Sequence, residues 1–98
     1  MSFIRDISKD RPVHFIGVGG IGMSGIALTL VHRGYRVTGS DLRRSSITAG
    51  LVEAGAEVYQ GHRASNVPEG ATVVYSSAVC NANPEMVKAR ALRLPIVK

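Results

Sequence analysis

Apolar positions along this chain fall into short runs that switch between two spacings. Residues 13–16, VHFI, and 71–76, ATVVYS, are nearly continuous apolar runs, the pattern of strands covered on both faces. Between them Ile21, Ala27, Leu28 and Val31 recur at helical spacing, with Ile26 and Leu30 alongside. They predict a helix from 20 or 21 to 33, with Gly34 where a left-handed C-terminal cap belongs. Residues 35–40 predict a second strand in which Val37 is the clearest apolar member. A second helix follows over 47–54, capped by Ser45 or Ser46 and ended by Gly55. Residues 57–60 read as a third strand, and 61–70 as a loop holding His62, Arg63, Asn66 and Pro68. After the fourth strand at 71–76, Asn83-Pro84-Glu85 opens a helix over 84–93: Asn caps, Pro takes the first helical position, and Glu complements the dipole. Residues 95–97 start a fifth strand. The alternation predicts the α/β class, a Rossmann-like doubly wound parallel sheet of about five strands with helices on both faces. Residues 1–12, closed by Pro12, read as an N-terminal arm ahead of a domain over 13–98.

The junction of the first strand and first helix carries the clearest chemistry. Gly17-Val18-Gly19-Gly20-Ile21-Gly22 is a full G-x-G-x-x-G, and Asp41 follows about 20 positions on at the end of the second strand. In that pattern Gly17 lets the strand turn sharply, Gly19 lets a phosphate approach the backbone, and Gly22 lets the helix pack closely on the strand. The N–H groups of the first helical turn then face the phosphate, with the positive end of the dipole behind them. A purely structural tight turn is the competing reading.

Composition narrows the classes. The net charge of +5 raises nucleic acid as a partner, but the basic residues are scattered and only Arg43-Arg44 adjoin. Five aromatics form no base-stacking pattern among them, so an anionic small ligand is the better match. No apolar run approaches the roughly 18 residues of a membrane helix, and the N-terminus lacks a signal-peptide core. The single Cys80 forms no intrachain disulfide, which fits a reducing cytoplasm. Without a second Cys or a sequence-neighbouring His, it supports neither metal binding nor thiol catalysis. No G-x-x-x-x-G-K-[ST] loop is present to activate ATP.

Ligands in open α/β sheets bind outside the carboxyl ends of the strands, near the point where strand order reverses. Residues 17–22, Ser40-Asp41, Gly61-His62 and Ser76-Ser77 stand at those ends. Asp41 suits a ribose hydroxyl or a base edge, or else caps the next turn. Arg43 and Arg44 are either a phosphate contact, as for a 2′-phosphorylated nicotinamide cofactor, or a solvated loop. Ser76 and Ser77 offer hydroxyls to a ligand or to local backbone. His14 and His32 read as structural. On these residues alone, an NAD(P)-binding domain of a dehydrogenase or redox sensor stays open, as does a fold that has lost its ligand.

The stretches HFIGVGGIGMSGIA (14–27), GYRVTGSD (34–41), GAEVYQGH (55–62), VVYSSAV (73–79) and NPEMVKARALRLPIV (83–97), in this order, resemble the N-terminal domain of the Mur ligase family of peptidoglycan synthesis. The resemblance implies a cytoplasmic three-domain enzyme whose first domain binds UDP-N-acetylmuramate. A central domain with ATP and Mg²⁺ activates the muramic carboxylate as an acyl phosphate for attack by L-alanine. It also implies that this piece binds substrate without catalysing, that the ATP-binding and C-terminal domains lie beyond Lys98, and that the central domain contacts this one. A relative that attaches a recycled tripeptide shares the architecture. Mapped onto matched positions, Gly17, Gly19, Gly20, Ile21, Gly22, Met23 and Ser24 form the glycine loop, with the pyrophosphate over 19–24. Ser40 and Asp41 lie by the uridine, and His62, Ser76, Ser77 and Ala78 line the remaining crevice. The expected set holds no catalytic residue, metal or cofactor of its own, and no nucleic-acid or membrane partner.

Overall fold

The computed structural model describes residues 7–98, the side chain of Ile21 excepted. Strands β1 (Val13–Ile16), β2 (Val37–Asp41), β3 (Glu57–Gln60), β4 (Thr72–Val74) and β5 (Ile96–Val97) alternate with helices α1 (Ile21–His32), α2 (Ser46–Ala54) and α3 (Pro84–Ala91). All neighbouring strands pair in parallel, in the order β3-β2-β1-β4-β5. Strand order reverses between β1 and β4, which puts the switch point beside the glycine loop at the end of β1. This is the α/β fold expected, with five strands and helices on both faces.

Alternating residues of β1 divide the core. Val13 and Phe15 join Ala27 and Leu30 of α1 and Leu51 of α2 on one face. Ile16 joins Val73 of β4, Met86 and Ala89 of α3, and Val67 on the other. The stripe on α1 is rotated from the expected one: Ala27 and Leu30 are buried, with Met23, Ile26 and Val31 packed alongside, whereas Leu28 is exposed. Gly39 of β2 allows the closest approach on this face. A Cβ there would stand 2.7 Å from Cβ of Val18, which no side chain could occupy without a shift.

Helix ends follow one design. At α1 the Tyr35 N–H reaches the Leu30 carbonyl and the Gly34 N–H the Val31 carbonyl, with Gly34 at φ +87°. The same pair of bonds closes α2 through Gly55 at φ +119° and α3 through Arg93 at φ +55°. Ser45 caps α2 in a reciprocal box with Thr48, and the Asn83 side chain accepts from the Glu85 N–H to open α3. The expected loop at 61–70 contains a 3₁₀ turn, Ala64–Asn66. Of the arm expected at 1–12, residues 1–6 lie outside the described residues. Ile7 is buried in the core, and its carbonyl accepts the Tyr35 hydroxyl at 2.9 Å.

Candidate functional site at the switch point

The turn after β1 is built by backbone hydrogen bonds before any ligand is considered. The N–H groups of Gly17 and Val18 both donate to the Ser40 carbonyl, at 2.8 and 2.9 Å. Gly17 sits at φ +81°, the left-handed region that lets the strand turn at once into the loop. The Gly20 N–H donates back to the Gly17 carbonyl, and the Ser24 N–H donates to Gly20 to begin the helical ladder.

Two glycines do work other than that expected of them. The space a Gly19 side chain would fill is held by this chain itself: a Cβ would lie 2.9 Å from Asp41 Oδ2 and 3.2 Å from Thr48 Cγ2. The Gly19 N–H donates to Asp41 Oδ2 at 2.9 Å, so that amide is already engaged by a carboxylate. Gly22 is not a close-packing residue, because a Cβ there meets nothing within 4 Å. Close packing falls instead to Gly39 against Val18. The amides that helix geometry leaves without an intrahelical acceptor are those of Ile21, Gly22 and Met23. The first turn of α1 carries no acidic residue and its N-cap makes no side-chain hydrogen bond; the Asp41 carboxylate stands just before it, at the Gly19 N–H.

An open cleft of ≈ 480 Å³ lies over these strand ends, within the usual range for small-ligand sites. Of the residues expected there, Gly17, Gly20, Met23, Asp41, His62, Ser76 and Ala78 line it. Gly19, Gly22 and Ser77 do not, and Ser24 faces a shallow groove between α1 and α2. Ser40 is fully buried, its hydroxyl committed to His62 and Glu85 beneath the floor rather than offered to the cleft. Asp41 is the capping aspartate of the second reading as well as a lining residue, since its Oδ1 accepts the Arg43 N–H at 3.1 Å. Arg43 lines the cleft, whereas the Arg44 guanidinium turns to Gln60 Oε1 at 2.8 Å.

Sequence pattern alone sets Glu85 near a helix dipole and nothing more, but it is the centre of the site's support. Its side chain is fully buried at the start of α3. Oε1 accepts from His14 Nε2 at 2.5 Å and from the Ser40 hydroxyl at 2.7 Å. Oε2 accepts from the Arg63 N–H and from Asn66 Nδ2, both at 3.0 Å. Burial alone would raise this carboxyl, but the hydrogen bonds from His14, Asn66 and Ser40 outweigh it and hold it at about 2. His14 is in turn bonded to Thr38 Oγ1 at 2.7 Å. Polar residues at 14, 38 and 40 within central, covered strands were the available signal, since each requires a buried partner.

Exposed Cys80 lies at the cleft. Among the described residues no cluster of three or more His, Cys, Asp or Glu is arranged to hold a metal ion. No helix among them is long and apolar enough to cross a membrane.

Comparison with known proteins bears on the whole of this arrangement. The profile described as Mur ligase family, catalytic domain, matches residues 12–98. UDP-N-acetylmuramate–L-alanine ligase of Myxococcus xanthus is 56% identical over 85 residues, which is 87% of this chain and 18% of that protein. The crystal structure of UDP-N-acetylmuramate-alanine ligase MurC from Thermotoga maritima superposes with a TM-score of 0.83 at 39% identity, over 89% of this chain and 20% of that one. A Neisseria ligase named for UDP-N-acetylmuramate and L-alanyl-γ-D-glutamyl-meso-diaminopimelate gives 0.78 at 25% identity, over 89% of this chain and 28% of that one. The chain thus spans about a fifth of the length of the first two. With its profile match, its five-stranded parallel sheet and its glycine turn at the switch point, this chain belongs to the Mur ligase family.

Proposed function

We propose that this chain is the UDP-N-acetylmuramate-binding domain of a cytoplasmic ligase that joins L-alanine to that nucleotide sugar, with ATP and Mg²⁺ acting in a further domain. The observation that carries the reading is the cleft at the β1–β4 switch point, where Gly17, Gly20 and Met23 of the glycine turn and the start of α1 share one lining with His62, Ser76 and Ala78. The amides of the first turn of α1, rather than that of Gly19, receive the diphosphate. His62, Asp41 and the Ser76–Ala78 turn take the nucleoside and sugar sides. The 56% identity to a ligase of that name supports the L-alanine reaction over the tripeptide one, for which the structural relative stands at 25%. Leu42, 67% exposed at the cleft, supports contact with a neighbouring domain that completes the site. The chain binds and orients substrate without performing the ligation.

Titration of the chain with UDP-N-acetylmuramate, UDP and NADP, followed by backbone amide signals, tests this. The two uridine nucleotides shift Gly20, Gly22, Met23, His62 and Ala78, and NADP leaves them in place. Preference for NADP, or shifts confined to another surface, overturns the assignment in favour of a nicotinamide-dinucleotide domain.

A further inference from the structure

His62 is held from one side only. Its Nδ1 lies 2.8 Å from Ser40 Oγ, and the ring lines the cleft. Ser40 Oγ also lies 2.7 Å from Glu85 Oε1. A serine hydroxyl has one proton to give. Glu85 has none to give back, because its two oxygens already accept from His14, Arg63 and Asn66 in a fully buried setting. If the Ser40 proton pointed at His62, two bare oxygens would face each other at 2.7 Å. The proton therefore goes to Glu85, and the Ser40 oxygen must accept from His62 Nδ1–H.

We propose that Glu85 and Ser40 are positioning residues that fix His62 as its Nδ1–H tautomer, so that Nε2 meets the cleft as a hydrogen-bond acceptor for a nucleoside N–H or hydroxyl. Among the described residues no group is bonded to Nε2. The consequence is a division of polarity. The helix end offers N–H donors that suit phosphate oxygens, and His62 offers a lone pair that suits the donor edge of the nucleoside. A bare diphosphate satisfies only the first. This inference rests on the nucleotide reading above for its ligand, and on the hydrogen-bond geometry alone for its tautomer.

The tautomer is read directly from the ring nitrogens of ¹⁵N-labelled chain at alkaline pH. Free of ligand, His62 gives a protonated Nδ1 and an unprotonated Nε2; an Nε2–H ring, or an averaged mixture, overturns the proposal. Ser40→Ala, checked for folding by its amide spectrum, removes the ring's 2.8 Å contact and loosens its orientation, although Glu85 Oε2, 3.5 Å from Nδ1, still faces that nitrogen. The substitution weakens UDP by about tenfold, the worth of one hydrogen bond, and leaves inorganic pyrophosphate binding unchanged. Equal weakening of both ligands, or of neither, overturns the acceptor role. Failure of UDP to bind the unaltered chain removes the nucleotide reading, and the acceptor role with it, whatever the tautomer. A correct tautomer with normal pyrophosphate binding but no gain from UDP refutes the nucleoside contact alone.

Discussion

On one face of the sheet Phe15, Leu30 and Leu51 pack beneath α1 and α2 in an apolar cluster that needs no polar partner. On the other, a smaller cluster around Ile16, Val73 and Met86 shares its space with His14, Ser40 and Asn66, all bonded to one carboxylate, and with Thr38 behind His14. Among the described residues, no buried side-chain nitrogen or oxygen lacks a partner. Burial on the first face is non-directional and tolerates shape-conserving swaps. The second depends on direction and count, because each donor has one place to go. That second face lies directly under the cleft, so the molecule keeps its adaptable packing away from the site and its direction-specific bonding beneath it.

The comparison makes distinct demands on each face. Truncating the apolar side gives the largest loss: Phe15→Ala costs about 3–5 kcal/mol in denaturant unfolding, as for other buried Phe-to-Ala changes. The polar side reveals itself through acid. The Glu85 carboxyl is lowered from 4.5 to about 2 on folding, so the folded state binds this proton less readily than the unfolded one. Its contribution is therefore complete above about pH 4.5 and is lost as pH falls toward 2. A loss on the order of 3 kcal/mol across that window is expected, and Glu85→Gln removes that dependence. An unchanged acid profile in Glu85→Gln would make the two faces equivalent.

Glycines sharpen the contrast at smaller scale. Gly39→Ala drives a methyl to 2.7 Å from Cβ of Val18, an overpacking worth about 1–3 kcal/mol in thermal or denaturant unfolding. Gly22→Ala meets open space, and removing a glycine from within the helix stabilises by up to about 1 kcal/mol. The same change weakens diphosphate binding, so stability and affinity move in opposite directions, by calorimetry and titration. The smallest effect is at the end of α3, where Arg93 holds φ +55°. Arg93→Gly relieves that conformation and raises the unfolding midpoint by the equivalent of about 0.5–1 kcal/mol.

Those sites also mark where the sequence could and could not be read. Strand β3 emerges at residues 57–60 as expected, because Gly55 and Gly61 bracket it with local signals. Strand β2 starts at Val37 rather than at 35, since the Tyr35 N–H is used to close α1. Helix α3 stops at Ala91 rather than at 93, because its left-handed closing residue is an arginine and carries no glycine signal. The glycine turn is local in the chain and so was legible, while its inner bond from Gly19 to Asp41 spans 22 residues and was not. Glu85 was harder still. It reads as a helix-start carboxylate, and its actual partners at 14, 40, 63 and 66 meet only once two strands and a loop have assembled around it.

The bond from Gly19 to Asp41 has a kinetic consequence. A loop already latched to the neighbouring strand has no wandering to give up when an anion arrives, so little ordering entropy is lost on capture. Encounter should then follow a single concentration-dependent phase, with no slower rearrangement behind it. Cutting the latch with Asp41→Ala would free the turn and introduce that second, slower phase.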